Sequence, residues 1–455
     1  MKIINPATEK VIAEVRDDDA GSVNQAFYRA RRAQKDWAKV PLSIKLGMMA
    51  RFRDLVVENK AKLASVLTSE VGKPITQSNN ELNGLIGRLN FFLDNTESVL
   101  KEEKVFNDSG MEELIRHEPL GVIANISAWN YPYFVGSNVF VPALLTGNTV
   151  IYKPSEYATL TGLAIVELMH QTGLPPDAFI AVVGGPAVGN ALLDQPINGV
   201  FFTGSYATGR KINEKVAGRL MKVQLELGGK DPVYICDDVD PKAAAEATAD
   251  GAFYNTGQSC CSVERIYVHQ NLYDKFVEAF TETVRGFVIG DPTNEKTYIG
   301  PLARHAQLDV LDQQVNDAEK KGARLVLGGK RRPGTGYYYE PTVFVDANQN
   351  MALMKEESFG PIIGIARVRD DEEAVRMMND TNYGLTAGVY TKDKTRAERI
   401  LAEVNAGSAY WNCCDRVSPR LPWSGRGHSG LGLTLSKYGI LTFTQPKAWH
   451  LRSPG

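Results

Sequence analysis

At 455 residues the chain is long enough for two or three domains of about 150 residues each, and its 51 basic residues nearly cancel 53 acidic ones. That balance excludes the one-signed surface by which a protein grips nucleic acid or an anionic membrane. Cys236, Cys260, Cys261, Cys413 and Cys414 have no C-x-x-C spacing, and the six histidines show no i,i+3 or i,i+4 pairing, so no metal site is expected.

In chain order, the opening "MKIINPATEKVIAEV" lacks the basic, apolar and small-residue zones of a signal peptide. The most apolar window, "FVGSNVFVPALLTGNTVIY", is interrupted by Asn, Gly and Pro, so a soluble, cytosolic protein is expected. Val23, Ala26, Phe27, Ala30, Ala33 and Trp37 fall at helical spacing, and a second amphipathic run covers about 42–70. From residue 121 the texture changes to short β-rich runs, "GVIANIS", "NTVIYKP", "FIAVVGG", "GVFFTGS" and "KVQLELGG", separated by segments of helical length. Such alternation predicts a parallel sheet covered on both faces, with ligands at the carboxyl ends of the strands. "SAWN", "YKPSE", "FTGS" and "ELGG" all fall at those ends. A second α/β section follows from 229 to 440. "MEELIRHEPL" and the later "TFTQPKAWHLR" read as strands that pair with each other or with another subunit.

A cysteine nucleophile needs a thiolate, a group to hold the oxyanion it creates, and a base to clear the adduct. In "YNTGQSCCSVERI" Cys260 follows small and polar residues that let backbone approach a carbonyl; read alone, it is as readily a small buried residue. "QLELGGKDP" places Glu226 in an apolar strand end, where burial would raise its pKa toward that of a useful base. Asn130 of "SAWNYP" carries an amide that can donate to an oxyanion, or cap the helix that the next proline begins.

"NTGQSCCSVER" resembles the N-x-G-Q-x-C-x-x-x-x-R cysteine signature of the aldehyde dehydrogenase superfamily, and "LELGGKDP" resembles its glutamate signature. "INPATEKVIAEV", "EPLGVIANISAWNYP", "YKPSE", "FTGSYATG", "EESFGPI" and "SGLG" match in the same order, over nearly the whole chain. The resemblance implies an α/β fold. A modified Rossmann NAD-binding domain (1–102 and 121–228) is followed by an α/β catalytic domain (229–440), and a small β oligomerisation element (103–120 and 441–455) makes a homodimer or homotetramer. It also implies NAD, with NADP possible, bound without a G-x-G-x-x-G motif by Ile126, Trp129, Lys153, Ser155, Glu156, Gly185, Gly189, Gly204, Ser205, Gly209, Leu227, Glu357 and Phe359. Glu156 suits free ribose hydroxyls and repels a 2′-phosphate. The implied reaction oxidises an aldehyde to an acid through Cys260, with Glu226 as base and Asn130 at the oxyanion.

Family-matched pocket positions are Tyr131, Phe134, Val135, Asn138, Tyr254, Ser259, Cys261, Asp415, Val417 and Trp423. Their aromatic rings fit an apolar, aromatic, amino or quaternary-ammonium aldehyde. Asn138 stands where the betaine-aldehyde branch commonly has a fourth aromatic. The alternative substrate is a succinate-type semialdehyde held by Arg416 or Arg420 of "DRVSPRLPW". A coenzyme A-acylating enzyme, or a catalytically silent structural member of the fold, are the alternatives of another class; intact Glu226 argues against the first.

Overall fold

A computed structural model describes residues 1–108 and 110–454. Its first large sheet has six strands in the order Gly430–Leu431, Lys222–Glu226, Gly199–Thr203, Val122–Ile126, Thr149–Lys153 and Phe179–Ala181. The last five run parallel, and the first lies antiparallel with Gly430 opposite Glu226. Because strand side chains alternate between faces, Val122, Ala124 and Ile126 join one core with Val23 and Phe27 of the helix Ala20–Lys39. Ile123 faces the opposite core, among helices Leu42–Glu58, Lys60–Val71, Ile75–Val99 and Pro132–Leu145. Local chemistry sets these boundaries: Asp19 and Ser22 cap the Ala20–Lys39 helix reciprocally, and left-handed Gly72 closes Lys60–Val71.

The second sheet has seven strands, in the order Arg324–Leu327, Thr342–Val345, Ile362–Val368, Val263–His269, Asp231–Ile235, Thr386–Tyr390 and Ser408–Trp411. Only the first pair is antiparallel. Helix Pro241–Phe253, capped by Asp240, and helix Tyr273–Arg285 cover one face. Helices Ala306–Lys320, Asp371–Asn379 and Lys394–Glu403 cover the other.

Not all of the segment 229–440 packs on the second sheet. Val417, Trp423, Leu435 and Ile440 pack into the core of the first unit, and Gly430–Leu431 extends its sheet. The segment returns because its apolar residues find the uncovered flank of the helices Ile75–Val99 and Pro132–Leu145, on which helix Ser436–Leu441 rests. The two outlying strand segments pair with each other: Thr444–Arg452 lies antiparallel to Met111–Pro119, which pairs in turn with Glu103–Asp108. Of the segments 103–120 and 441–455, Ser109 and Gly455 lie outside the described residues. Among the described residues no helix is long and apolar enough to cross a membrane.

Candidate active site

Two cavities converge where the sheets meet. An elongated cleft of about 420 Å³ runs across the carboxyl ends of the first sheet, lined by Ile126, Trp129, Lys153, Ser155, Glu156, Gly189, Gly204 and Ser205. A deeper cavity of about 430 Å³ is lined by Tyr131, Phe134, Val135, Asn138, Tyr254, Ser259, Cys261, Asp415, Val417 and Trp423, together with Cys260 and Glu226. A junction of about 250 Å³ joins them; Asn130, Cys260, Glu226, Leu227, Glu357 and Phe359 form its wall. Cys260 and Glu226 thus border both the junction and the deep cavity. A broader depression of about 1130 Å³ along helix Tyr273–Arg285 shares no residue with these three.

The turn that presents Cys260 is built from unusual backbone. Asn255, Thr256 and Gly257 lie at φ 54°, 59° and 69°. At Gly257 a Cβ would stand 2.2 Å from the carbonyl oxygen of Gly360, so no side chain fits. Polar contacts hold the other two: the Asn255 N–H donates to Gln77 Oε1 at 2.9 Å, and the Thr256 hydroxyl donates to the Gly300 carbonyl at 3.3 Å. Gln258 donates to the Asn255 carbonyl and accepts from the Ala303 N–H. Five residues after Cys260, the fully buried Arg265 ties the following strand to the carbonyls of Lys230, Met377 and Met378. The spaced Asn, Gly, Gln and Arg of the motif are therefore the scaffold of one thiol.

Asn130 is not a helix cap; Tyr131 occupies that position. The Asn130 side-chain amide donates to the Gln258 carbonyl at 3.2 Å, while the Asn130 backbone carbonyl accepts from Lys73 Nζ at 2.7 Å and Asn255 Nδ2 at 3.2 Å. Lys73 is fully buried against Glu81, whose other oxygen accepts the Tyr133 N–H at 2.8 Å. Glu226 ends its strand 5% exposed, accepting from the Thr434 hydroxyl and from Gln224 Nε2 at 3.0 Å. Burial pushes its carboxyl up to about 7, against the lowering effect of those donors and of nearby Arg88.

Cys261 is buried, its thiol 3.1 Å from Asp415 Oδ1 and 3.5 Å from the Ser259 hydroxyl. Hydrogen bonding with Cys260, then burial and the Asp415 charge, raise the Cys261 thiol well above its ordinary value, which disfavours a thiolate there. All five cysteines are free thiols.

At the junction, Glu357 Oε1 accepts the Gly229 N–H at 3.1 Å, and the Phe359 ring lies 5.4 Å from that of Trp129, edge on. The 357–359 turn is fastened by buried Glu264, which accepts the N–H groups of Ser358 and Phe359 and pairs with Lys230 at 2.5 Å. Two residues expected in the cleft stand behind it. Gly209 takes no part in the lining; a Cβ there would stand 2.4 Å from Leu227, so its role is helix-to-strand packing. Gly185 precedes helix Pro186–Leu193 at its cap position and likewise does not line the cleft.

Sequence reasoning missed Arg88, Lys73, Glu81, Thr434, Lys230 and Glu264, and also Arg304, which lines both cleft and junction with its guanidinium 5.5 Å from the centre of the Trp129 ring. For two of them a cue existed. Glu81 and Arg88 interrupt the apolar stripe Leu82, Leu85, Leu89, Phe92 on one helix, where buried charges demand a reason.

Fold and site together define the class: an NAD(P)-dependent oxidoreductase. The profile described as "Aldehyde dehydrogenase family" matches residues 1–449, and the chain belongs to that family. Succinate-semialdehyde dehydrogenase, mitochondrial, of Arabidopsis thaliana is 35% identical over 449 residues, 98% of this chain and 85% of that one. Betaine aldehyde dehydrogenase, chloroplastic, of Amaranthus hypochondriacus is 33% identical over 457 residues, covering 98% and 91%. A solved structure of an NAD-dependent aldehyde dehydrogenase from Sinorhizobium meliloti superposes with a TM-score of 0.97 at 31% identity, covering 100% of this chain and 92% of that one.

Proposed function

We propose that the protein oxidises an aldehyde to a carboxylic acid through a covalent adduct on Cys260. The observation that carries this reading is that Cys260 and Glu226 border both the deep cavity and the junction, so a carbonyl at Cys260 has a base beside it and the cofactor cleft open to it. The Cys260 thiolate adds to the carbonyl carbon, and the oxyanion is held by the Asn130 amide and the Cys260 N–H. When bound, the nicotinamide supplies the two-electron oxidant that turns the adduct into a thioester. Glu226, with a pKa near 7, then takes a proton from water. That water attacks the thioester carbon, the C–S bond breaks, and the acid leaves with the thiol restored.

The cleft fits NAD chemically. Glu156, 4.0 Å from Lys153 Nζ, offers a carboxylate for ribose hydroxyls at one end, and Glu357 offers another at the junction. Between them the helix Tyr206–Val216 directs its N-terminus, capped by Ser205, at the place a pyrophosphate would occupy.

A quaternary-ammonium substrate is the less favoured of the expected classes. Lys73 Nζ already lies 3.7 Å from the centre of the Tyr131 ring, and the Arg88 guanidinium lies 3.8 Å from that of Phe134. Two aromatic faces that a cationic ligand would seek are occupied by the protein's own cations.

The test is NADH formation over an aldehyde panel, with and without coenzyme A, using the wild-type protein, Cys260→Ala and Glu226→Gln. Turnover should vanish in the first variant and stall at thioester hydrolysis in the second. Full activity of Cys260→Ala would reject the reading, and strict dependence on coenzyme A would reassign it to acyl transfer.

A further inference from the structure

Arg88 lines the deep cavity from the helix Ile75–Val99 and is 5% exposed. Among the described residues its guanidinium forms no hydrogen bond and no ion pair; its contact is the Phe134 ring beneath it, and its Nε is buried without a partner. Burial lowers its pKa to about 10, so it remains a cation at neutral pH. A buried unpaired charge is costly enough that proteins rarely keep one without an anion to meet it. The charges of Glu81 and Glu226 favour the cation from a distance, but no resident acid pairs with it. Glu81 is taken by Lys73, Glu226 is held by Thr434 and Gln224, and Asp415 accepts from Cys261 and Ser259.

A second side chain points to the same conclusion. Asn138 lies one helical turn beyond Phe134, on the cavity wall, and is 4% exposed. Its amide makes no hydrogen bond among the described residues; the buried, unpartnered atom is Oδ1, an acceptor, and the NH₂ group beside it is a donor with no partner of its own. Either orientation of that amide leaves the NH₂ group free for an acceptor. A buried guanidinium and the NH₂ group of a buried amide, both on the wall of one cavity, each lack an acceptor.

We propose that Arg88 and Asn138 form an anion subsite that binds a carboxylate at the far end of the aldehyde substrate, making the substrate class an ω-carboxy aldehyde. The proposal rests on the assignment of the deep cavity as the aldehyde site. It moves the anion-binding role from Arg416 and Arg420 to Arg88: Arg416 and Arg420 are exposed, and Arg420 does not line the cavity. A planar monoanion matches the guanidinium fork. A phosphate would bring nearly two charges against one cation, in the company of Glu81, Glu226 and Asp415.

The experiment compares kcat/KM for ω-carboxy aldehydes of three to five carbons with that for uncharged aldehydes of equal length, in the wild-type protein, Arg88→Met and Arg88→Lys. The wild type should favour the charged member at one of these lengths by about 100-fold, the scale of a lost charged hydrogen-bond pair. Arg88→Met should bring that ratio close to one, mainly through KM, and Arg88→Lys should restore part of it. Equal use of charged and uncharged aldehydes by the wild type, a loss shared equally by both in Arg88→Met, or a preference for phosphorylated aldehydes would overturn the proposal. Calorimetric binding of succinate to the wild type and to Arg88→Met reads the subsite without turnover. Succinate binding that survives the substitution also counts against it. If no aldehyde is oxidised by the wild type yet succinate binding still depends on Arg88, the oxidation fails and the anion subsite stands.

Discussion

Lys73 Nζ donates to the carbonyl oxygen of Asn130 at 2.7 Å while paired with Glu81, so a buried cation on the turn after helix Lys60–Val71 holds the residue whose amide faces the junction. The pair is fully buried, and its geometry reaches the site through Asn130 on one side and the Tyr133 N–H on the other.

Breaking that pair is expected to affect stability and catalysis together. Lys73→Met leaves Glu81 buried and uncompensated, at a cost of about 3–5 kcal/mol, and frees the Asn130 carbonyl. Thermal unfolding should shift down and kcat should fall. The double variant Lys73→Met, Glu81→Leu should regain much of the melting temperature without regaining kcat. Recovery of both would reduce the pair to a structural role.

Glu226 should leave a mark on pH profiles. With its pKa raised to about 7 by burial, its ionised fraction grows through neutrality, so kcat limited by thioester hydrolysis should rise along one limb centred near pH 7. The limb should be absent in Glu226→Gln. The sign for stability is opposite. Because the folded-state pKa lies above the unfolded one, the protonated form is favoured by folding, and stability is lost as pH rises from about 4.5 through about 7. At about 1.4 kcal/mol per unit, Glu226→Gln should be stabilising by up to about 3 kcal/mol at pH 8 and neutral below pH 4.5, readable by denaturant unfolding at the two pH values.

Glu156 should set the choice between NAD and NADP. Its carboxylate, beside Lys153, would repel a 2′-phosphate, so the wild type should use NAD with the lower KM. Replacing it by Gln should lower KM for NADP about tenfold, the ~1.4 kcal/mol of a screened charge repulsion, and raise KM for NAD. Initial rates with each cofactor decide the point; unchanged NADP kinetics would mean the ribose lies elsewhere.

The three-stranded sheet carries a prediction of assembly. Val105 and Phe106 on the edge strand Glu103–Asp108 are 57% and 48% exposed, and Leu451 on the opposite edge strand is 39% exposed. Unsatisfied strand edges with apolar side chains seek a partner, so sedimentation should give a multiple of the 50.0 kDa chain mass. Phe106→Asp should shift the distribution toward the monomer. A wild-type monomer at micromolar concentration would contradict this.

Much of the architecture was legible because parallel strands buried on both faces announce themselves as apolar runs; "GVIANIS" and "GVFFTGS" needed no tertiary information to be placed. Motifs also singled out Cys260, Glu226 and ten further residues that the fold brings to the lining of one cavity. What stayed hidden arises from contacts between distant segments. Nothing near Lys73 in sequence signals Asn130, and nothing near Thr434 signals Glu226; each partner is more than 50 residues away, and only the closed fold brings them together. Arg88 was passed over for a different reason. Its place in the apolar stripe was visible, but a single arginine in an amphipathic helix reads as surface until packing shows that its neighbours are core.

The return of residues 417–443 to the first unit has a kinetic meaning. Trp423 on the pocket wall, Gly430 beside the glutamate and Thr434 bonded to it all come from a stretch that follows every other strand of the two large sheets. The Glu226 carboxylate therefore has no settled surroundings until this late segment docks. A chain that has folded the other strands of both sheets but not this clasp should bind nucleotide along the open cleft while remaining chemically silent, and acquisition of activity should lag behind acquisition of secondary structure during refolding.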